Sequence, residues 1–314
     1  MADKIATRDA YGNALAEFGD LYDFVVLDAD LAAATKTGVF KKKFPERFFD
    51  CGIAEGNMMS VAAGISTTGK TVFASSFAMF AAGRAYEQIR NSIGYPHLNV
   101  KIGATHAGIT VGEDGATHQC LEDISLMRGI PGMTVVNPAD AVEARAAVLA
   151  AIQTKGPFYI RFGRFAVPVI NDAESYEFQL GKGVQMTEGK DVTIVATGIM
   201  VAMAMEAAET LAKEGIHARV INIHTIKPID REIILTAACE TGAIVTAEEH
   251  SIYGGLGSAV SEVVCEGCPV PVVRVGVEDQ FGRSGKVPPL LEMYGLTPDN
   301  IVAKVKKAME MKKA

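Results

Sequence analysis

A polar loop follows an apolar run in the middle of the chain and has the sequence THAGITVGEDGATHQ, residues 105–119. It carries His106 and His118 together with the adjacent acids Glu113 and Asp114. Such groups can bind sugar hydroxyls or phosphate oxygens, and glycines let the backbone approach a ligand closely. The same composition is typical of loops whose Asp and Thr side chains bond their own backbone. Taken alone, the loop is either a wall of a site or a self-bonded turn.

Two further stretches could carry chemistry. Glu55 stands in DCGIAEGNMMSVAAGIS, residues 50–66, before a helix of small residues. Its carboxylate could cap that helix, or an apolar setting could raise its pKa so that it shares a proton with a ligand nitrogen. Phe77 and Phe80 lie in SSFAMF, residues 75–80, at the end of a predicted strand. Their spacing suits core packing, but at a strand end the rings could also form a flat wall for a planar ligand.

Several classes of site do not fit the sequence. The net charge of -7 argues against a nucleic-acid-binding surface, although a local basic pocket for a phosphate is compatible with it. His106 and His118 are 12 residues apart, which matches no short zinc pattern, and we predict no metal site in this chain. No GxGxxG motif follows the first predicted strand, so a self-contained dinucleotide site is not expected.

The elements that must position these residues alternate between strands and helices. Apolar runs with little polar alternation indicate strands buried on both faces, and therefore a mostly parallel sheet flanked by helices. In the first half the predicted strands are 23–30, 70–77, 99–106, 133–138 and 158–163. The predicted helices are 56–66, 81–93 and 139–153. The polar loop then follows the third strand, at the end where parallel sheets bind ligands.

A polar, turn-rich segment divides the chain into two α/β domains. We predict a first domain over residues 1–172, a linker over 173–190 and a second domain over 191–314. The second half repeats the alternation, with strands over 192–198, 217–226, 243–249 and 271–277. Its predicted helices are 201–215, 231–242, 257–266 and 300–311. The fold class is therefore α/β, with a mostly parallel sheet in each domain.

Composition also predicts a compartment. The N-terminus has no signal-peptide pattern, and no apolar run approaches the roughly 20 residues of a membrane span, so we expect a cytoplasmic protein. The five cysteines are odd in number and scattered, which favours reduced, structural thiols. Cys265 and Cys268 form a CxxC without a second pair, which is weak evidence for zinc or redox chemistry.

Three motifs together resemble a known family. GIAEGNM, SSFAMF and THAGITVGEDGATHQ, in this order and spacing, resemble the pyrimidine-binding domain of transketolase. The second half, including TAEEHSIYGGLGSAVSE at 246–262, is similar to the transketolase C-terminal domain. The 1-deoxyxylulose-5-phosphate synthases and the 2-oxoacid dehydrogenase E1 β chains share the Glu motif but usually vary the polar loop. A subunit of one of those enzymes is the alternative, and a non-catalytic paralogue is a third hypothesis.

The resemblance implies a cofactor that the chain cannot hold alone. Members of the family use thiamine diphosphate, whose diphosphate and Mg²⁺ are held by a GDG motif and a later Asn in a separate N-terminal domain. This chain does not contain that domain, so we expect the C-terminal subunit of a split transketolase. Its partner would be an N-terminal subunit that carries the Mg²⁺ site. Pyrimidine domains of the family pair, which implies a homodimer of this chain and an α2β2 complex.

The resemblance also assigns roles around the cofactor. Glu55 would bind N1′ of the aminopyrimidine and exchange a proton with it. Phe77 and Phe80 match the aromatic positions that pack on this ring. Asp30, in DADL, matches a family acid near the cofactor.

The remaining roles concern the substrate, a sugar phosphate. Arg8, His106 and Arg161 would hold its phosphate, with Arg164 as a competing candidate for Arg161. Asp114 would bind a hydroxyl near the reacting carbons, and His118 would assist proton movement there. The implied reaction transfers a two-carbon ketol unit from a ketose phosphate to an aldose phosphate. The histidines that match no motif are expected to be structural: His97, His217, His224 and His250.

Overall fold

The computed structural model describes residues 3–313 and contains two α/β units. Its strands are β1 (Lys4–Ala6), β2 (Phe24–Asp28), β3 (Phe48–Asp50), β4 (Thr71–Phe77), β5 (Val100–Thr105), β6 (Thr134–Val136), β7 (Phe158–Arg161), β8 (Ala166–Pro168), β9 (Val184–Thr187), β10 (Val192–Ala196), β11 (Ala218–Asn222), β12 (Thr225–Lys227), β13 (Ile244–Ser251) and β14 (Val272–Val277).

The α-helices are α1 (Thr7–Phe18), α2 (Ala32–Thr35), α3 (Gly38–Lys43), α4 (Glu55–Ser66), α5 (Tyr86–Gln88), α6 (Asp123–Arg128), α7 (Ala141–Gln153), α8 (Met200–Lys213), α9 (Arg231–Thr241), α10 (Leu256–Gly267), α11 (Val287–Met293) and α12 (Pro298–Lys313). The helix predicted over 81–93 is broken, because two π-helical turns, Met79–Arg84 and Ile89–Gly94, flank α5. Such turns widen the helix by one residue and are frequent at functional sites.

The first unit is built on a seven-stranded sheet in the order β12-β6-β7-β5-β4-β2-β3. All neighbours are parallel except β12 and β6. Strands β2 and β5 are buried along their whole length, because helices cover both faces of the sheet. One face packs an aromatic cluster that includes Tyr11, Phe24 and Phe73. The other face packs α4 and the π-helical segment, which places Glu55 and Phe80 at the same edge.

The second unit has a five-stranded sheet in the order β14-β13-β10-β11-β9, parallel except for β9. Adjacent residues of β10 enter different cores: Ile194 packs with the cluster that contains α8 and α12, and Val195 with the one that contains α9 and α10. The Val195 cluster also includes Ile102 and Met58 of the first unit. The two units therefore share one continuous hydrophobic core, which fixes their relative position.

Two strand pairings cross the predicted domain boundaries. The predicted linker, 173–190, includes β9, which pairs antiparallel with β11 and belongs to the second sheet. Strand β12 lies in the second half of the sequence, yet it pairs with β6 and extends the first sheet. Both pairings are antiparallel and join distant segments, so neither follows from the local alternation of apolar runs.

Buried polar groups fasten the connection between the units. Glu143 of α7 is fully buried and accepts hydrogen bonds from Ala139 N at 2.6 Å, from Asn222 Nδ2 at 2.9 Å and from the Tyr176 hydroxyl. Tyr176 lies in the linker and Asn222 in the second unit, so one carboxyl group joins three parts of the chain. Burial raises the pKa of Glu143 to about 7.

The cysteines differ in one respect from the expectation of reduced thiols. Cys268 pairs with Cys239 in a disulfide between the ends of α9 and α10, and not with Cys265 of its CxxC. Cys51, Cys120 and Cys265 are free. The prediction that the cysteines are reduced is therefore wrong for Cys239 and Cys268.

His224 provides a test of the junction between the units. It is fully buried, stacks on Phe178 at 4.3 Å, and has no hydrogen-bond partner at Nε2 among residues 3–313. Burial lowers its pKa to about 4, from an ordinary 6.5. Below pH 6.5 the unfolded chain binds a proton at this position that the folded chain rejects, so stability falls as pH decreases from 6.5 to about 4.

Replacing His224 by Phe is therefore expected to flatten this dependence. Between pH 6.5 and 4, the wild type should lose about 3 kcal/mol more free energy of unfolding than His224→Phe. Urea denaturation at a series of pH values measures the difference. His217→Phe is the matched control, because His217 is exposed in the folded protein. Parallel profiles for wild type and His224→Phe would contradict the assignment.

Candidate active site

The predicted site residues converge at one edge of the first sheet. Strands β3, β2, β4 and β5 are parallel neighbours. Glu55 follows β3, Asp30 follows β2, Phe80 follows β4 and His106 follows β5. Ligands of open parallel sheets bind outside the carboxyl ends of the strands. This topology brings together residues that are up to 76 positions apart in the sequence, from Asp30 to His106.

Glu55 is buried and paired with a cation. It is the first residue of α4, its side chain is 2% exposed, and its Oε2 accepts a hydrogen bond from Arg84 Nη1 at 2.9 Å. The N-cap is Ala54, and among the described residues the Glu55 carboxylate makes no capping bond to its own helix. The structure therefore does not support the interpretation that Glu55 caps its own helix.

Four aromatic rings form a wall beside Glu55. Phe77 and Phe80 are stacked, with centroids 5.7 Å apart and planes inclined by 20°. His106 stacks on Phe77 at 3.8 Å, and His118 meets Phe80 edge-on at 5.2 Å. The core interpretation holds for the buried Phe77, whereas Phe80 is partly exposed.

Arg84 is a site residue that the sequence analysis missed. Its guanidinium lies over the Phe80 ring, 4.6 Å from the centroid, while Nη1 bonds Glu55. A planar group that bears N–H donors is thus stacked on Phe80 and hydrogen-bonded to Glu55. An aminopyrimidine ring could lie on Phe80 in the same way, with its N1′ accepting a proton or a hydrogen bond from Glu55, so the residues fit such a group. The sequence does contain one sign of this role: Arg84 is a charged residue within an apolar helical segment.

His106 is held neutral at the end of β5. Its backbone is left-handed, with φ 56°, and its side chain is 2% exposed. Arg8 Nη1 donates to Nε2 at 2.8 Å, so the ring proton lies on Nδ1, 2.9 Å from Thr105 Oγ1. Burial, followed by the charges of Arg8 and Arg164, lowers the pKa of His106 to about 3.

Cations gather around His106. Arg8 and Arg164 interact unfavourably, and burial together with this repulsion lowers the pKa of Arg8. Lys36 also contributes to the positive potential at His106, although it is paired with Asp9 at 3.0 Å. A partly buried cluster of positive charges is the electrostatic environment that an anion requires.

Asp114 and His118 lie at the tip of the polar loop, close to the cations and the rings. Asp114 Oδ2 is 3.8 Å from Arg164 Nη1, and its side chain is 45% exposed. His118 is half-buried, with Nδ1 3.0 Å from the Thr117 hydroxyl. The loop also bonds its own backbone through Gln119, whose Nε2 donates to Ile109 O at 3.1 Å and to Gly112 O at 3.4 Å.

Arg161 is the predicted site residue that the structure does not bring to this group. It is 3% exposed, and its Nε bonds Asp123 at 2.8 Å while Nη2 bonds Glu249 O at 2.8 Å. Both hydrogen bonds engage the Arg161 guanidinium inside the protein. The surroundings of Arg161 therefore do not fit the prediction that it holds phosphate. Arg164, three residues further, reaches the cation cluster and bonds Val111 O.

Asp30 lies at the edge of the site with a left-handed backbone, φ 62°, and an exposed side chain. The buried acid of this strand is Asp28, which accepts hydrogen bonds from Thr35 at 2.7 Å and Thr37 at 2.8 Å. Burial raises the pKa of Asp28 to about 6. Asp28 therefore fastens the turn that carries Asp30, and the sequence analysis did not single it out.

Two glycine-rich stretches lie outside this edge, at the start of α10 and at residues 64–71, and the structure explains both without a ligand. At the start of α10, Glu248 Oε2 accepts from Leu256 N at 2.6 Å and Oε1 from Gly257 N at 2.8 Å. This carboxylate therefore occupies the N-terminal end of the helix. GISTTGKT, residues 64–71, matches the P-loop sequence motif GxxxxGK[ST], but it connects α4 to β4. A P-loop joins a strand to a helix, which is the reverse order.

Two features are absent from residues 3–313. No group of three or more His, Cys, Asp or Glu side chains there could hold a metal ion. In the same part of the chain, no helix is long and apolar enough to cross a membrane.

Fold and site together define a chain of two α/β units with a candidate site at the carboxyl edge of the first sheet. The transketolase pyrimidine-binding domain model matches residues 3–169, and the transketolase C-terminal domain model matches residues 181–301. The chain belongs to the transketolase family, which confirms the resemblance and the predicted fold class.

Relatives of the same length are known. A protein of Methanocaldococcus jannaschii, provisionally named a transketolase C-terminal section, is 50% identical over 306 residues, which cover 96% of each chain. A 6-deoxy-6-sulfo-D-fructose transketolase subunit of a Clostridium species is 48% identical, over 97% of this chain and 95% of that one. The solved structure of a split gene transketolase, described as an inactive beta4 tetramer, is 56% identical with a TM-score of 0.91, covering 99% of this chain and 100% of that one.

Proposed function

We propose that this chain is the C-terminal subunit of a split transketolase and transfers a two-carbon ketol unit from a ketose phosphate to an aldose phosphate. One observation carries the proposal: the buried Glu55 carboxylate and the Phe80 ring together hold the planar guanidinium group of Arg84 beside a cation cluster. The relatives described as a C-terminal section, a subunit and a split gene product support the division between two polypeptides.

Thiamine diphosphate would be held by Phe77, Phe80 and Glu55 on this chain, with its diphosphate and Mg²⁺ on an N-terminal subunit. When bound, this cofactor supplies a nucleophilic carbon and an electron sink. Glu55 would hold and exchange a proton at Oε2, the atom now bonded to Arg84. Arg84 would leave that position as the ring enters, and its half-exposed side chain can turn towards solvent.

Arg8 and Arg164 would bind the anionic end of the sugar, because guanidinium groups form paired hydrogen bonds with phosphate oxygens. Neutral His106 would orient Arg8 through Nε2 and shield the site from water. Asp114 and His118 would receive the hydroxyls at the reacting end, and Asp30 would border the cofactor. A sulfonate is the other anion to test, since the Clostridium relative is named for a sulfo sugar.

The decisive experiment is reconstitution. The chain is mixed with an N-terminal subunit, Mg²⁺ and thiamine diphosphate, and offered xylulose 5-phosphate with an aldose phosphate, a sulfonated ketose, or pyruvate. Ketol transfer from either anionic ketose supports the proposal. Turnover of pyruvate alone would replace it with a 1-deoxyxylulose-5-phosphate synthase-like or E1 β-like function. Size measurements should show α2β2 for the complex and at least a homodimer for this chain.

Arg164→Met is expected to weaken binding of the anionic end. The KM for the phosphorylated donor should rise about 10- to 100-fold, because one charged hydrogen-bonding partner is lost, while kcat changes little. Hydroxypyruvate, a donor without phosphate, should show an unchanged KM. Arg145→Met is the matched control, since Arg145 is exposed and pairs with Glu17. An equal rise in KM for both donors would argue against a phosphate contact at Arg164.

A further inference from the structure

The base of the 105–119 loop is held by the second α/β unit. Thr110 N donates to Glu249 Oε1 at 2.7 Å, and Glu249 is a buried residue of β13. Gly108 adopts φ 82°, and a Cβ there would lie 2.3 Å from the Glu249 carboxyl carbon, so only glycine permits this approach. Ile109 is fully buried in the core of the second unit. The loop therefore leaves the first sheet and is anchored in the other half of the molecule.

Gln119 joins the two ends of the loop to the same unit. Its side chain is 3% exposed, and Nε2 donates to Arg283 O at 2.9 Å and to Ile109 O at 3.1 Å. A Cβ at Gly282 would lie 1.9 Å from Gln119 Oε1, so the segment before Arg283 closes directly over the amide. The Ser284 hydroxyl donates to Glu113 O, the residue next to Asp114.

In contrast to its base, the tip of the loop is exposed to solvent. Asp114 is 45% exposed, and Thr117 is also exposed. A buried base fixed by hydrogen bonds and an accessible tip are what a binding loop needs, because the supporting residues hold the binding groups in the geometry that the ligand requires.

We propose that the second unit sets the position of the substrate-binding tip, and that Gln119 is a positioning residue that transmits this constraint to Asp114 and His118. This inference rests on the proposed function in assigning the tip to the donor sugar. It gives the second unit a task in catalysis: its segment 282–284 fixes the loop of a site that is built on the first sheet.

The test uses the whole chain and begins without substrate. Gln119→Met keeps the side-chain volume and removes the hydrogen bonds to Arg283 and Ile109. Amide hydrogen exchange over residues 109–118 should become about tenfold faster, while exchange in β4 and β5 stays unchanged. Ser284→Ala, which removes only the bond to Glu113 O, should give a smaller change at the same amides. Gln185→Met is the matched control, since Gln185 is exposed on β9.

The second measurement uses the reconstituted complex. Gln119→Met should raise the KM for the ketose phosphate donor about tenfold, with kcat changed less than threefold. Unchanged exchange at 109–118 in both Gln119→Met and Ser284→Ala would overturn the inference, as would a uniform increase across the chain. If the wild-type complex turns over no anionic ketose, the proposed function fails, while the exchange measurements still decide whether Gln119 anchors the loop.

Discussion

Glu55→Gln is expected to lower kcat of the reconstituted complex by about 10²- to 10⁴-fold, the usual contribution of a positioned proton-transfer group. Glutamine has the same length and can still form a hydrogen bond with a ring nitrogen. It cannot accept or release a proton, so the variant separates proton exchange from binding. Initial rates of ketol transfer at saturating donor and cofactor measure the effect.

The control for Glu55→Gln is Glu262→Gln. Glu262 is exposed and pairs with Arg128 at 2.7 Å, so the change removes a carboxylate bonded to arginine that is not among the site residues. Its activity should equal that of the wild type. Thermal melting and subunit assembly of Glu55→Gln should also match the wild type. Activity within a few-fold of wild type would refute the proton-transfer role, and loss of activity together with assembly would indicate a structural one.

The strands and the shared edge of the site follow from local sequence. Predicted strands such as 70–77 and 99–106 end within one residue of the ends of β4 and β5, because a buried parallel strand is a continuous apolar run. Once the strands are parallel neighbours, the residues that follow them must lie together. That is why the strand ends alone group Phe80 with His106, whereas β3 was not predicted and Glu55 joined them through the family resemblance.

Other features depend on contacts that no local pattern encodes. Arg84 reaches Glu55 only because a π-helical turn follows β4, and the sequence of that turn resembles an ordinary helix. Strand β12 joins the first sheet from the second half of the chain, which requires the two units to be docked. The ties from Gln119 to Arg283 and from Glu249 to Thr110 arise from the same docking.

The choice between Arg161 and Arg164 has a simple physical basis. Arg161 is the last residue of β7, a central strand, and its side chain enters the interior with Asp123. Arg164 follows the strand by three residues and can therefore reach beyond its carboxyl end. For parallel sheets, the position of an arginine relative to the strand end is thus more informative than its presence in a motif.

Arg161→Met is expected to destabilise the protein by about 3 to 5 kcal/mol, because it leaves the Asp123 carboxylate buried without its cation. Tyr159 Oη, 2.8 Å from Asp123 Oδ2, would remain as a donor but carries no charge. This loss is a large part of the 5–15 kcal/mol by which domains are usually stable. Urea denaturation of the isolated chain measures it without cofactor or substrate.

Two comparisons separate this structural role from phosphate binding. Arg145→Met removes an exposed pair with Glu17 and should cost about 0 to 1 kcal/mol. The double variant Asp123→Asn/Arg161→Met should recover part of the stability, because the uncompensated charge is gone. A phosphate ligand would behave in the opposite way: its loss would raise the KM for the phosphorylated donor and leave the unfolding curve unchanged. Since Arg161 also bonds the backbone of Glu249, we expect the unfolding curve to shift for Arg161 and the KM to shift for Arg164.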